Sequence, residues 1–242
     1  MKNILYILLS VVLLGMTSCT KYDQADTGLA NGVHETSMWG YFQTDPYNWD
    51  SIMVMAKHAG LQDIFEGKSK YGSDITFLGI TNHSIRRYIL RQKELTDGEV
   101  TRITDLSKED CKKFILTSIL SERIMLEDFP LGNASTEPDQ IIGQGGRVYT
   151  TLSGAELWIY TFRSDYEEVP NAGPLKIHVV SDDTKNARTV ASSNIVTQTG
   201  VVHSLDYDFT LGDFVIKDDG GDSGDFEGGG DYEDIDGDST NE

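Results

Sequence analysis

The stretch SNIVTQTGVVHSLDYDF, residues 193–209, decides the fold. It reads as strand, tight turn and strand: β-branched Ile195 and Val196 lead into Gln-Thr-Gly, and Val201 and Val202 follow at once. Gly200, directly before two β-branched residues, suits a turn that needs positive φ. His203 alternates with Val202 on the second strand and is expected to be buried. Working outward from this hairpin, the whole second half carries a period-two pattern: RVYTTL (147–152), AELWIYTF (155–162), PLKIHVV (174–180), ARTV (187–190), SNIV (193–196), VVHSLDY (201–207) and FTLGDFVI (209–216). Short strands at this spacing predict a β-sandwich or barrel-like wedge packed against helices, so the class is α+β.

The first half supplies the helices. Asp50 or Ser51 is placed to cap a helix through SIMVMAKHAGL, with Ile52, Met55, Ala56 and Ala59 on one face and Gly60 as its stop. An apolar turn, QDIFEG, follows. DITFLGI (74–80) reads as a buried strand running directly into a helix after Asn82, a residue able to hydrogen-bond orphan backbone groups at that junction. Ser107 with Asp110 forms a capping-box pattern, and Cys111, Phe114, Ile115, Ser118 and Ile119 share one helical face.

Both ends differ in kind from this body. Met1 and Lys2 precede the apolar run Ile4–Met16, too short to span a bilayer comfortably but of signal-peptide length, and Thr17 and Ser18 then precede Cys19. The arrangement resembles a bacterial lipoprotein signal, which implies cleavage before Cys19 and lipidation of its thiol and new amine. Residues 1–18 are therefore read as signal, 19–36 as a polar tether and 37–216 as one domain. From Asp218 to Glu242 there are eleven acidic residues, no basic one and seven glycines. With so little apolar surface to set against ordering entropy, residues 217–242 are expected to be disordered.

The order of elements and several strings resemble the fasciclin family of extracellular modules, over roughly Trp39 to Ile216. DITFLGITNHSI is similar to the family's first signature, T-x-F-A-P-T-N-x-A-F: Thr76, Phe77, Thr81, Asn82 and Ile85 agree in kind, and Leu78, Gly79 and Ile80 depart. SNIVTQTGVVHSLDYDF is similar to the second, D-I-x-A-x-N-G-V-V-H-x-I-D, through Ile195, Gly200, Val201, Val202, His203, Leu205 and Asp206. The resemblance implies a fasciclin-like fold and an adhesion or binding role. In animal members adhesion is linked to an Asp-Ile pair and a Tyr-His pair. The matching positions here are Asn194 with Ile195 and Thr117 with Ser118, which makes these four the candidate partner contacts while removing the acid and the imidazole. Integrin-type recognition is accordingly not implied.

Charge and motifs narrow the function further. With 39 acidic against 20 basic residues and a formal charge of −19, approach to phosphate is costly, so a nucleic-acid partner is not expected. No nucleophile elbow, zinc-protease helix or C-x-x-C occurs, and GQGGR (143–147) lacks the Lys-Ser/Thr of a phosphate loop. The histidines His34, His58, His83, His178 and His203 are far apart in sequence, and Cys111 is expected to be an inert core thiol. In the tail, DYEDIDGDSTNE has its glycine out of register for a calcium loop. No catalytic residue, metal or cofactor is therefore expected. The aromatics Trp39, Tyr41, Phe42, Tyr47 and Trp49 form a dense, loop-like segment that either stacks on sugars or covers the domain's open edge, and covering is the expectation. The expectation is a non-enzymatic envelope lipoprotein resembling those of Bacteroidetes, sited at the outer membrane and binding a glycan, matrix component or protein. The alternative is an accessory subunit of an outer-membrane nutrient-uptake assembly.

Overall fold

The computed structural model describes residues 32–165 and 169–215. Cys19, most of the tether and the acidic tail lie outside the described residues. Among the described residues there are five α-helices: α1 (Met38–Thr44), α2 (Pro46–Ala59), α3 (Gln62–Phe65), α4 (Asn82–Leu95) and α5 (Lys108–Thr117). The strands are β1 (Ile75–Gly79), β2 (Ile119–Leu120), β3 (Gly132–Asn133), β4 (Gln144–Gly145), β5 (Arg147–Thr150), β6 (Glu156–Arg163), β7 (Leu175–Ser181), β8 (Asn186–Thr197) and β9 (Gly200–Leu205). The class is α+β.

Seven strands form one sheet in the order β2-β1-β9-β8-β7-β6-β5. All neighbours are antiparallel except β1 and β9, which run parallel from Ile75↔Gly200 to Gly79↔Ser204. The two stretches quoted for the fasciclin resemblance are thus laid side by side in the sheet. Its ends then approach each other, since Leu120 of β2 bridges Thr151 just after β5 and the Leu152 N–H donates to the Ile119 carbonyl at 2.9 Å. This closure explains how one sheet behaves as a barrel-like wedge, with its bend on β8, whose pairing with β9 slips between Val190 and Ser192 and between Ser192 and Ile195. ARTV and SNIV, read as separate strands, are the two arms of this single bulged strand.

Two local expectations need correction. The helix expected from Asp50 or Ser51 begins earlier, with Pro46 in the first turn, where its missing N–H costs nothing. Gly60 does stop it, in the left-handed conformation at φ 70°. FTLGDFVI, of which Ile216 lies outside the described residues, forms no strand over 209–215 and turns at 211–214, although Phe209, Leu211, Phe214 and Val215 are buried. Its apolar content is core, but the turn at Gly212, with φ 95°, breaks the extended backbone a strand requires.

The core sits where the helices meet the concave side of the sheet. Phe42, Trp49, Phe65 and Phe77 form its aromatic centre, with Phe42 stacked on Trp49 at 5.2 Å between centroids and Phe65 edge-on to Phe77 at 5.1 Å. The aromatics of the segment Trp39–Trp49 are therefore on helices and buried, apart from Tyr47, which is 75 % exposed. Gly79, where the first signature has departed, leaves room for Trp49: a Cβ there would stand 2.7 Å from its ring. Asn82 joins the helices, as its carboxamide accepts the Ser51 N–H at 2.7 Å and donates to the carbonyls of Pro46 and Tyr47 at 2.9 and 2.7 Å.

Candidate functional site

Asn194 lies at the bulge of β8 with φ 59°, a conformation that asparagine tolerates better than most residues. Its Oδ1 accepts the Leu126 N–H at 2.8 Å and its Nδ2 donates to the Glu127 carboxylate at 3.0 Å. Its backbone N–H donates to His203 Nδ1 at 3.2 Å, which leaves Nε2 to donate to the Ile124 carbonyl at 2.8 Å. His203 is consequently held as one neutral tautomer, edge-on to Phe129 at 5.7 Å. Burial is the main cause that pushes its pKa down to about 4, against weaker upward pulls from the Ile124 carbonyl and Glu127. Hydrogen bonding from Asn194 holds the Glu127 carboxyl below its ordinary value. Ile195 packs partly buried against the core.

Thr117 and Ser118 close α5. Both are buried: Thr117 Oγ1 shares a hydrogen bond with Ser153 Oγ at 2.8 Å, and Ser118 Oγ donates to the Phe114 carbonyl at 3.2 Å. The Ser118 carbonyl accepts the Leu78 N–H at 2.8 Å, so this segment feeds the strand pairing. Strands β1 and β9 stand between β2, which follows Ser118, and β8, which carries Asn194 and Ile195. Of the four candidate contacts, the structure places Thr117 and Ser118 inside the fold and Asn194 and Ile195 at its half-buried margin. Cys111 is buried, and desolvation raises its thiol to about 11, consistent with an inert core position. The histidines occupy separate environments, His58 against the Leu106 carbonyl, His34 and His83 against the rings of Tyr41 and Tyr47, and His178 on β7.

Two concavities were not anticipated from the sequence. The first, a groove of about 500 Å³, runs between α2 and α4 beside the turn at Ile103–Asp105. Val54 and Leu90 are exposed along it and Arg86 and Arg102 flank it. Its signal was Leu90, which lies off the apolar stripe formed by Ile85, Tyr88 and Ile89 on the same helix.

The second lies on the convex side of the sheet. Along β6, Leu157 and Ile159 belong to the core, so Trp158, Tyr160 and Phe162 project to the other face. Trp158 and Tyr160 lie 4.4 Å apart between centroids, and Tyr160 stacks on His178 of β7 at 4.8 Å and 11°. The β3–β4 hairpin covers the first two rings. Glycines allow this approach, since a Cβ on Gly132 would stand 2.7 Å from Tyr160 Cβ, and one on Gly146, with φ 61°, 2.5 Å from Trp158 Nε1. Trp158 Nε1 donates to the Gly145 carbonyl at 3.1 Å and fixes the cover. GQGG thus serves close packing on an aromatic ladder. The cover stops short of Phe162, 37 % exposed, and a cleft of about 550 Å³ opens there.

No family model matches the chain, and no curated protein matches it. Among solved structures, it is similar to a FAS1 domain pair from the insect cell adhesion molecule fasciclin I, with 13 % identity over 74 % of this chain and 53 % of that one and a TM-score of 0.45. The chain thus matches about half the length of that structure.

Proposed function

We propose that this protein is a non-enzymatic, lipid-anchored component of a bacterial cell envelope whose fasciclin-like domain binds a surface partner. The observation that carries the reading is the open cleft beside Phe162, where a rigid, covered aromatic ladder ends in an exposed ring surrounded by polar side chains. Preformed concavities of this kind cost little to order on binding. The lipoprotein-like sequence before Cys19 supports display at a membrane, with the polar residues that follow as a tether. Asn194 and Ile195 stay candidate contacts at the edge of the wedge, whereas Thr117 and Ser118 act from beneath the surface.

Affinity capture from solubilised envelopes tests this reading with the purified full chain as bait. Saturable capture of a glycan, matrix component or surface protein is expected. A stable stoichiometric complex with a transporter would favour the accessory-subunit alternative, and no saturable capture would overturn the reading.

A further inference from the structure

The cleft's chemistry restricts what it can hold. Leu131, 71 % exposed, and Phe162 supply apolar surface, and Asn133, Gln144, Arg163 and Asn171 supply polar groups. Arg163 is oriented by one hydrogen bond from Nη1 to the Gly173 carbonyl at 3.1 Å, which leaves the rest of its guanidinium fork for a ligand. Asn171, with φ 56°, is fixed through its backbone N–H, which donates to Asp165 Oδ1 at 2.9 Å. Among the described residues, the side-chain amides of Asn133, Gln144 and Asn171 have no hydrogen bond.

We propose that this cleft is a carbohydrate-binding site for neutral oligosaccharides, with Phe162 as the stacking platform and Asn133, Gln144, Asn171 and Arg163 as hydroxyl readers. A carboxamide donates and accepts, and so does a sugar hydroxyl, so three amides around one ring match a polyol without requiring ligand charge. An apolar C–H face of a pyranose fits an aromatic surface of this kind. No carboxylate lines the cleft among the described residues, and the one guanidinium is served by a pair of adjacent hydroxyls. Strand addition by a peptide is disfavoured at this place, because β6 is already paired on both sides, by β5 and β7.

The assignment rests on the reading of the domain as a surface-binding module, and the test separates the two. Hexasaccharides of mannose, xylose, glucose and galactose are titrated into the full chain in detergent and followed by calorimetry and amide chemical shifts. At least one is expected to bind saturably and to shift amides of Asn133, Gln144, Phe162 and Arg163. Phe162→Ala and Gln144→Ala should each weaken that binding roughly tenfold, about 1.4 kcal/mol, with melting temperature unchanged. Leu90→Ala in the helical groove should leave it unaltered. Failure of all four sugars, equal binding by the Phe162→Ala chain, or a peptide competing for the same amides would overturn the assignment. Envelope capture that persists in Phe162→Ala would overturn the cleft alone and leave the broader reading standing.

Discussion

A Cβ on Gly200 would overlap the carbonyl oxygen of Ile75, its partner across the parallel pair of β1 and β9. Gly200 also has φ 144°, a region nearly closed to other residues. The glycine in the second signature is therefore required twice, by its own backbone and by the strand from the first signature.

Gly200→Val should destabilise the fold by about 3 kcal/mol or more, because strain and a backbone clash act together. Gly154→Ala is the control: Gly154 has φ 89° with open space around it, so about 1 kcal/mol is expected. Denaturant midpoints of the two variants measure the difference, and equal losses would refute the role of the Ile75 contact.

Stability should fall with acid because of His203. Its folded pKa of about 4 lies below the ordinary value of 6.5, so the unfolded chain binds the proton more readily. The stability from neutral burial is complete above 6.5 and is lost as pH falls from there towards 4. From pH 7 to pH 5 this linkage removes about 2 kcal/mol. His178, also lowered by burial first and Lys176 second, acts in the same direction. Urea unfolding of wild type and His203→Gln across this range should show a shallower pH slope in the variant.

Much of this arrangement was legible before the structure. Gly60, Gly200, the Ser107 cap and the burial of His203 each follow from local chemistry that leaves a mark on sequence. The start of α2 was missed because Asp50 and Ser51 have good capping chemistry yet lie inside a helix that Pro46 initiates. FTLGDFVI misled because burial and strand share one apolar pattern, and Gly212 decides between them. The cleft was hidden for a different reason. Trp158, Tyr160 and Phe162 alternate visibly, but which two rings are covered depends on a hairpin that pairs far from them in sequence.

Asn194→Asp, which puts an acid where the fasciclin signature has one, should weaken this fold. It replaces the donor to Glu127 with a second carboxylate, so a loss of about 1 kcal/mol is expected at neutral pH. The Glu127 carboxyl should titrate higher in the variant, as carboxylate NMR shifts can establish. An unchanged Glu127 titration would show that the amide contact does not govern it.

Cys19 is expected to carry the lipid. Wild type expressed in a bacterium that processes lipoproteins should enter the detergent phase on Triton X-114 partitioning, and Cys19→Ala should stay aqueous. Equal partitioning would remove the anchor from the account.

Whether the cleft beside Phe162 binds neutral glycans is decided by a glycan array probed with the purified full chain. Saturable binding to a restricted set of neutral glycans, reduced by Phe162→Ala, is expected. A uniformly blank array, with the domain shown folded by its cooperative melt, would contradict it.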